Sequence, residues 1–427
     1  MKLIKFLLIL LAAAMALIPL TTQAAKKNPL AGKELQPAAK ALETEFPFWN
    51  GMVTFAFDDG HRGIYDNALP IFLKYGVVAT LSPIVGAIEN GEDWAVTWEQ
   101  LQEFDEAGWE IGSHTMTHPD LTKLSDKEVD YELGMSKKIL ADHDLTAKTV
   151  VFPYSSFDAR VLDYATRYYE NSRGYTSKEL NGIDCDRYAI LSREVTAATQ
   201  PDEVISWIEE AVETQKWLVL LLHDVVPGTP KDYQYNAGDL EKIIAFVADN
   251  NILAPTVDQA MALRQAALGA NLIKNPKLEN LDKSDWALNW TRNNPDQVLV
   301  EKARVKRLFS SKNHLKITAS PEQNTACPSL IKLKDNERPY LLSFFAEVAT
   351  EGKNGGIGVC VDEFDARGNW LNYQWLGGFY WHNFGMPAFI YQPSSPEVAQ
   401  VMILINSDAK ARVDFRGDNF FFGILKK

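Results

Sequence analysis

From Met52 to Leu268 the chain alternates between short apolar runs and amphipathic stretches of helical period. Strand-forming runs are read at 52–59, 77–85, 109–114, 148–155, 172–177, 188–196, 217–223 and 252–257. Helical stretches lie between most of them, at 63–75, 97–107, 125–142, 158–170, 200–216 and 238–250, with another at 257–268. The run Trp217-Leu-Val-Leu-Leu-Leu222 is apolar on both faces, which suits a parallel strand covered by helices. Such alternation implies a parallel α/β domain. No glycine-rich phosphate loop follows the first run, so a nucleotide-binding open sheet loses support. The expected architecture is a distorted barrel of seven or eight strands.

Beyond Asn271 helical periodicity fades. Short strand-like runs follow at 297–302, 314–319, 328–334, 340–349, 356–364, 388–392, 398–406 and 411–424, broken by Asn, Gly, Pro and Asp. This texture predicts an all-β sandwich over 270–427, after an α/β domain over 50–265.

The opening residues read as an address. Lys2 and Lys5 precede an apolar run from Phe6 to Leu20, then Thr22-Gln23-Ala24. That is the pattern of a secretory signal spanning 1–24, followed by a polar lead-in over 25–49. The run is short for a membrane span, and no later stretch is long enough for one. The expected product is therefore exported, to periplasm or medium, and is not held in a membrane once the signal is cleaved. Removal of the signal takes the net charge from −13 to −15. So acidic a chain is poorly suited to nucleic acid or anionic lipid, and a neutral or cationic substrate fits better. Three cysteines are too few for a disulfide scaffold. Cys327 and Cys360 share the C-terminal region and an oxidising address, so a bond between them is expected, with Cys185 free.

Chemistry gathers where the strands end. Thr54-Phe-Ala-Phe-Asp-Asp-Gly60 delivers two adjacent carboxylates to a turn, and neighbouring side chains on a strand point to opposite faces. Asp58 and Asp59 therefore need not share a task. His114 and His118 follow the run Trp109–Ser113 with three residues between them. Two neutral imidazoles and a carboxylate suit Zn²⁺ or another divalent transition metal. His223 ends the most apolar strand, where an imidazole needs a reason.

These segments, with Phe152-Pro-Tyr154 and Leu221-Leu-His223, resemble four motifs of the NodB-type polysaccharide deacetylases (carbohydrate esterase family 4), in that family's order. The resemblance covers about residues 50 to 262. It implies that Asp59, His114 and His118 hold a divalent metal, usually zinc, and that Asp58 is the general base. It further implies His223 as general acid, the Tyr154 backbone N–H as an oxyanion donor beside Pro153, and Leu221 as wall of the acetyl pocket. One feature departs from the family. An arginine commonly stands shortly before the Pro-Tyr pair and orients the base, but here the stretch is Thr149-Val-Val-Phe-Pro153. Arg193, at the end of an apolar strand, is expected to take its place, with Arg62 as second candidate. The aspartate that orients the catalytic histidine is not evident either; Asp184 and Asp186 are the candidates.

The segment Asn369 to Gln392 holds nine aromatics, among them Trp370, Trp375 and Trp381. Aromatic faces match the C–H faces of sugar rings. The C-terminal domain is similar to the jelly-roll carbohydrate-binding modules, which implies a structural Ca²⁺ near the termini with Glu279 and Asp418 as ligands; a purely structural or oligomerising sandwich is the alternative reading. The leading reading is a secreted metal-dependent N-deacetylase of a polysaccharide containing N-acetylhexosamine. An O-acetyl esterase on a polymer such as xylan keeps the same site. A catalytically decayed polysaccharide-binding protein is a third reading, supported only by the missing arginine.

Overall fold

The run that opens the alternation forms β1, Met52–Asp59, buried as far as Asp58. A computed structural model describes residues 47–308, 311–319, 323–350, 355–380, 383–407 and 412–426. The expected signal, nearly all of the lead-in, and Trp381 lie outside these residues. Past β1 a wide helical turn, Ile64–Ala68, runs into α1, Leu69–Tyr75, which stops at Gly76 with a left-handed φ of 67°. β2 spans Thr80–Pro83, α2 Val85–Glu89 and α3 Trp98–Glu106. β3 is Glu110–Ile111, α4 Asp126–Asp142, β4 Thr149–Val151 and α5 Ala159–Tyr168. Then come β5, Asn171–Thr176, β6, Ile190–Glu194, α6, Pro201–Glu213, and β7, Trp217–Leu222. A small parallel pair, β8 (Asp224–Val226) and β9 (Gln234–Asn236), precedes α7, Ala237–Asp249, and α8, Val257–Ala266. Reciprocal caps at Thr97/Gln100 and Thr256/Gln259 start α3 and α8.

β1–β7 form one parallel sheet in the order β3-β2-β1-β7-β6-β5-β4. Ser113 and Val150 bridge its two outer strands in parallel, so the sheet is a nearly closed barrel. The stretch expected as an eighth strand contributes a single bridge, Leu253 to Met52. Every residue of β7 is buried, as its unbroken apolar run requires. The segment read as one strand at 77–85 divides: β2 ends at Pro83 and α2 begins at Val85. Because the strands are parallel, all their C-terminal ends open at one mouth, where loops can converge on a substrate.

The C-terminal region folds as two antiparallel sheets. One runs in the order 290–292, 325–328, 400–407, 356–364, 370–380, and the other 298–302, 313–319, 413–424, 340–350, 383–385. Val359, Val361 and Ile403 of the first sheet meet Leu342, Phe344 and Phe415 of the second in a single core. Each such side chain removed from water contributes roughly 1.5–3 kcal/mol. The sandwich also packs on the barrel. Leu341 and Leu425 join Phe48, Met52 and Trp217 in one cluster, and Phe345 and Phe384 enter the main barrel core. Arg307 pairs with Asp163 of α5 and lies over the rings of Phe345 and Phe384.

The expected Cys327–Cys360 bond is not formed; all three cysteines are free. Strand order gives the reason. The strand 400–407 lies between the two that carry them, and Cys360 pairs opposite Leu404 of that strand. Two strand spacings put them about 10 Å apart, beyond the roughly 7 Å a disulfide spans. Cys327 Sγ instead lies 2.9 Å from the Thr291 hydroxyl, and Cys360 Sγ 2.9 Å from the Tyr373 hydroxyl. Titration of the denatured protein is expected to count three thiols; a count of one would restore the bond.

Candidate active site

Asp58 and Asp59 leave β1 in different directions because the chain turns between them. Asp59 has a left-handed φ of 67°, and Gly60 follows at 83°, where an added Cβ would lie 2.8 Å from that of Pro83. The buried Asp58 points into the barrel, with 3 % of its surface exposed. Asp59 faces the loop after β3. Its Oδ1 lies 3.5 Å from His114 Nε2 and 3.7 Å from His118 Nε2, and the two Nε2 atoms are 3.1 Å apart.

The donor set fits a divalent transition metal. One atom each from Asp59, His114 and His118 lie within 4.8 Å of one another. His114 Nδ1 sits 3.0 Å from the Val151 carbonyl, so it carries the proton and leaves the Nε2 lone pair free. Burial, then the field of His114, pushes His118 down to about 4 against the opposing pull of Asp59 and Asp58, so its ring is neutral at neutral pH. For Asp59 burial acts upward, but the His61 hydrogen bond and the fields of His114, His223 and His118 outweigh it and hold the carboxyl near 2. Two neutral imidazoles and an ionised carboxylate are what such a cation requires. His61 Nε2, 3.4 Å from Asp59 Oδ2, takes the carboxylate's other oxygen, and its ring lies 4.9 Å from that of Trp94.

Arg173, not Arg193, pairs with Asp58. Both oxygens of Asp58 accept hydrogen bonds from Arg173 Nη2, and Arg173 Nη1 donates to Ser192 Oγ at 3.1 Å. Both side chains are buried. Arg193 follows Ser192 on β6, and alternation sends it out of the barrel. There its guanidinium binds Glu210 at 3.1 Å and the Lys178 carbonyl, and lies over Trp207 of α6. Arg62 donates its backbone N–H to the Trp94 carbonyl and is not bonded to Asp58. A charge in the third position of an otherwise neutral strand, Asn171-Ser-Arg-Gly-Tyr-Thr176, was the signal for Arg173. Arg193 stands nearer the mouth end of its strand, which is what favours it from sequence alone.

Past β4, the buried Pro153 opens a short turn in which Tyr154 has φ 59°. The Tyr154 ring is 70 % exposed and lies 4.7 Å from that of His118. Left-handed backbone at Asp59, Thr115, His118 and Tyr154 concentrates strain around one point, as sites held by their surroundings do. Leu221, His223 and Tyr233 line the far wall of the same cleft, which encloses about 830 Å³. The His223 and Tyr233 rings are 5.1 Å apart.

Neither proposed partner orients His223. Asp186 is committed to the backbone N–H groups of Tyr188 and Met386, Asp184 is exposed, and His223 Nδ1 has no hydrogen-bond partner among the described residues. The expected calcium ligands are Glu279 and Asp418. Glu279 is exposed, and the buried Asp418 accepts from the Ser311 N–H. Among the described residues, the triad of Asp59, His114 and His118 is the one such group.

Comparison with known proteins matches residues 49–169 to the family described as polysaccharide deacetylase. Bacillus subtilis YxkH, whose name places it among the polysaccharide deacetylases, is 34 % identical over 116 residues, 27 % of this chain and 41 % of that protein. The chain thus spans about two fifths of the length of that relative. A chitin deacetylase of Colletotrichum lindemuthianum is 26 % identical over 233 residues, 48 % of this chain and 88 % of the relative. Among solved structures, a family 4 carbohydrate esterase from Streptomyces lividans in complex with acetate is 21 % identical. It covers 48 % of this chain and 92 % of its own, with a TM-score of 0.35.

Proposed function

We propose, from the match of residues 49–169 to the polysaccharide deacetylase family, that the chain hydrolyses the N-acetyl groups of a polysaccharide containing N-acetylhexosamine, using zinc. The observation that carries this reading is the convergence of Asp59, His114 and His118 beside an Asp58 fixed by Arg173. Bound there, a divalent metal would polarise the acetyl carbonyl and lower the pKa of a water toward about 7.

The chain's own residues do the rest. Asp58 takes a proton from the attacking water as oxygen adds to the acetyl carbon, and Arg173 keeps the carboxylate aimed at it. The Tyr154 N–H meets the developing oxyanion. His223, across the cleft, protonates the nitrogen as the C–N bond breaks, leaving an amine and acetate. Leu221, 5 % exposed, walls the place of the methyl. The reading of a decayed binding protein loses its only support, because Arg173 supplies the missing cation.

Export is part of the same reading, on the strength of the signal-like pattern ending at Ala24. The sandwich is read as a sugar-binding domain on the strength of Trp370, Tyr373 and Trp375, which stand 59 %, 49 % and 53 % exposed along one strand. The test is acetate release over chitin oligomers, poly-N-acetylglucosamine, peptidoglycan and acetylated xylan. Release from an N-acetylated polymer is expected; release from acetylated xylan alone would replace the reading with an O-acetyl esterase.

A further inference from the structure

The loop that carries the two metal-site imidazoles is bent against its own preference. Thr115 has φ 67° and His118 φ 62°, and a β-branched residue rarely adopts such a conformation unless its surroundings impose it. Two elements impose it from opposite sides. On one, the first backbone N–H groups of α2 donate to the loop's carbonyls, Val85 to Thr115 at 3.2 Å and Gly86 to Met116 at 2.8 Å. A Cβ on Gly86 would lie 2.5 Å from the Met116 carbonyl oxygen, so the approach needs glycine.

On the other side stands Glu132 of α4, buried with 5 % of its surface exposed. One carboxylate oxygen accepts the Met116 N–H at 2.9 Å and the Thr117 N–H at 2.8 Å, and the other accepts the Thr117 hydroxyl at 2.6 Å. One helical turn on, Ser136 Oγ lies 3.0 Å from Ser113 Oγ. A buried carboxylate is costly unless such donors compensate it. Here every donor comes from the short link between His114 and His118, and the carboxylate touches neither ring.

We infer that Glu132 is a positioning residue for the metal site, holding the link so that the two Nε2 atoms stay at the 3.1 Å separation observed. The inference rests on the reading of Asp59, His114 and His118 as metal ligands. It assigns to α4, which contributes no ligand, control of how well the ligands converge.

The test measures zinc affinity by chelator competition and the visible spectrum of the Co²⁺-loaded protein, on the full chain and its variants. Glu132→Ala is expected to weaken zinc binding about 10–100-fold, the usual cost of losing a group that orients metal ligands, and to alter the Co²⁺ bands. Glu132→Gln is expected to rescue both. Its carbonyl oxygen can accept the two N–H groups, while its amide donates to the Thr117 hydroxyl. A folded Glu132→Ala protein with wild-type affinity and spectrum would overturn the inference, as would a Gln variant as weak as Ala. Thr117→Val removes only the hydroxyl bond and decides the matter even if Glu132→Ala does not fold. An altered Co²⁺ spectrum supports the inference, and an unaltered one overturns it. Failure of the metal reading itself would appear earlier, as a wild-type chain that binds neither ion.

Discussion

Arg173→Ala is expected to lower turnover about 10²-fold or more while leaving metal content unchanged, because a misaimed base loses that much at a displacement of about 1 Å. The guanidinium serves both oxygens of Asp58, and both side chains are buried. Removing one partner of a buried ion pair typically costs about 3–5 kcal/mol, so the variant should also melt several degrees lower. Two controls separate the effects. Asp58→Asn/Arg173→Ala, which leaves no uncompensated charge, should recover stability without recovering activity. Arg193→Ala, which loses its contacts to Glu210 and Trp207 outside the barrel, should keep wild-type turnover. Arg173→Lys should fall between, since an ammonium cannot reproduce the guanidinium fork. Wild-type turnover in Arg173→Ala would remove the residue from the mechanism.

The largest loss is expected at the metal ligands. His114→Ala and His118→Ala should each abolish zinc retention and activity together, from roughly one zinc per wild-type chain. Asp58→Asn should keep the zinc and lose about 10²–10⁴-fold in rate, the usual contribution of a general base. Asp59→Asn should weaken the metal as well, because its Oδ1 faces both imidazoles. Metal analysis beside acetate release distinguishes the two adjacent acids. Equal zinc affinity in the Asp58 and Asp59 variants would refute their division of labour, and full occupancy in both histidine variants would refute the site.

Much of the barrel was legible because its strands are apolar on both faces and its helices keep a 3.6-residue period, both local properties. The misreadings share one cause. At 252–257 an apolar run looked like a strand, but whether a run becomes one depends on a partner, and Leu253 finds only a single bridge. Cys327 and Cys360 share a domain in sequence, yet the strand 400–407, distant along the chain from Cys327, comes to lie between them.

The active-site residues divide the same way. The linear order determined that two acids, two histidines four apart and a lone histidine stand where strands end, and a parallel barrel brings all such ends to one mouth. It also carried the family likeness. Which arginine meets Asp58 was left to the tertiary structure. Moving one residue along a strand reverses the face a side chain takes, and strand pairing places Ser192 inward and Arg193 outward. Glu132 was invisible for a related reason. An acid in the middle of an amphipathic helix reads as solvated surface until a loop distant in sequence brings its donors, and only the folded chain puts Met116 and Thr117 there.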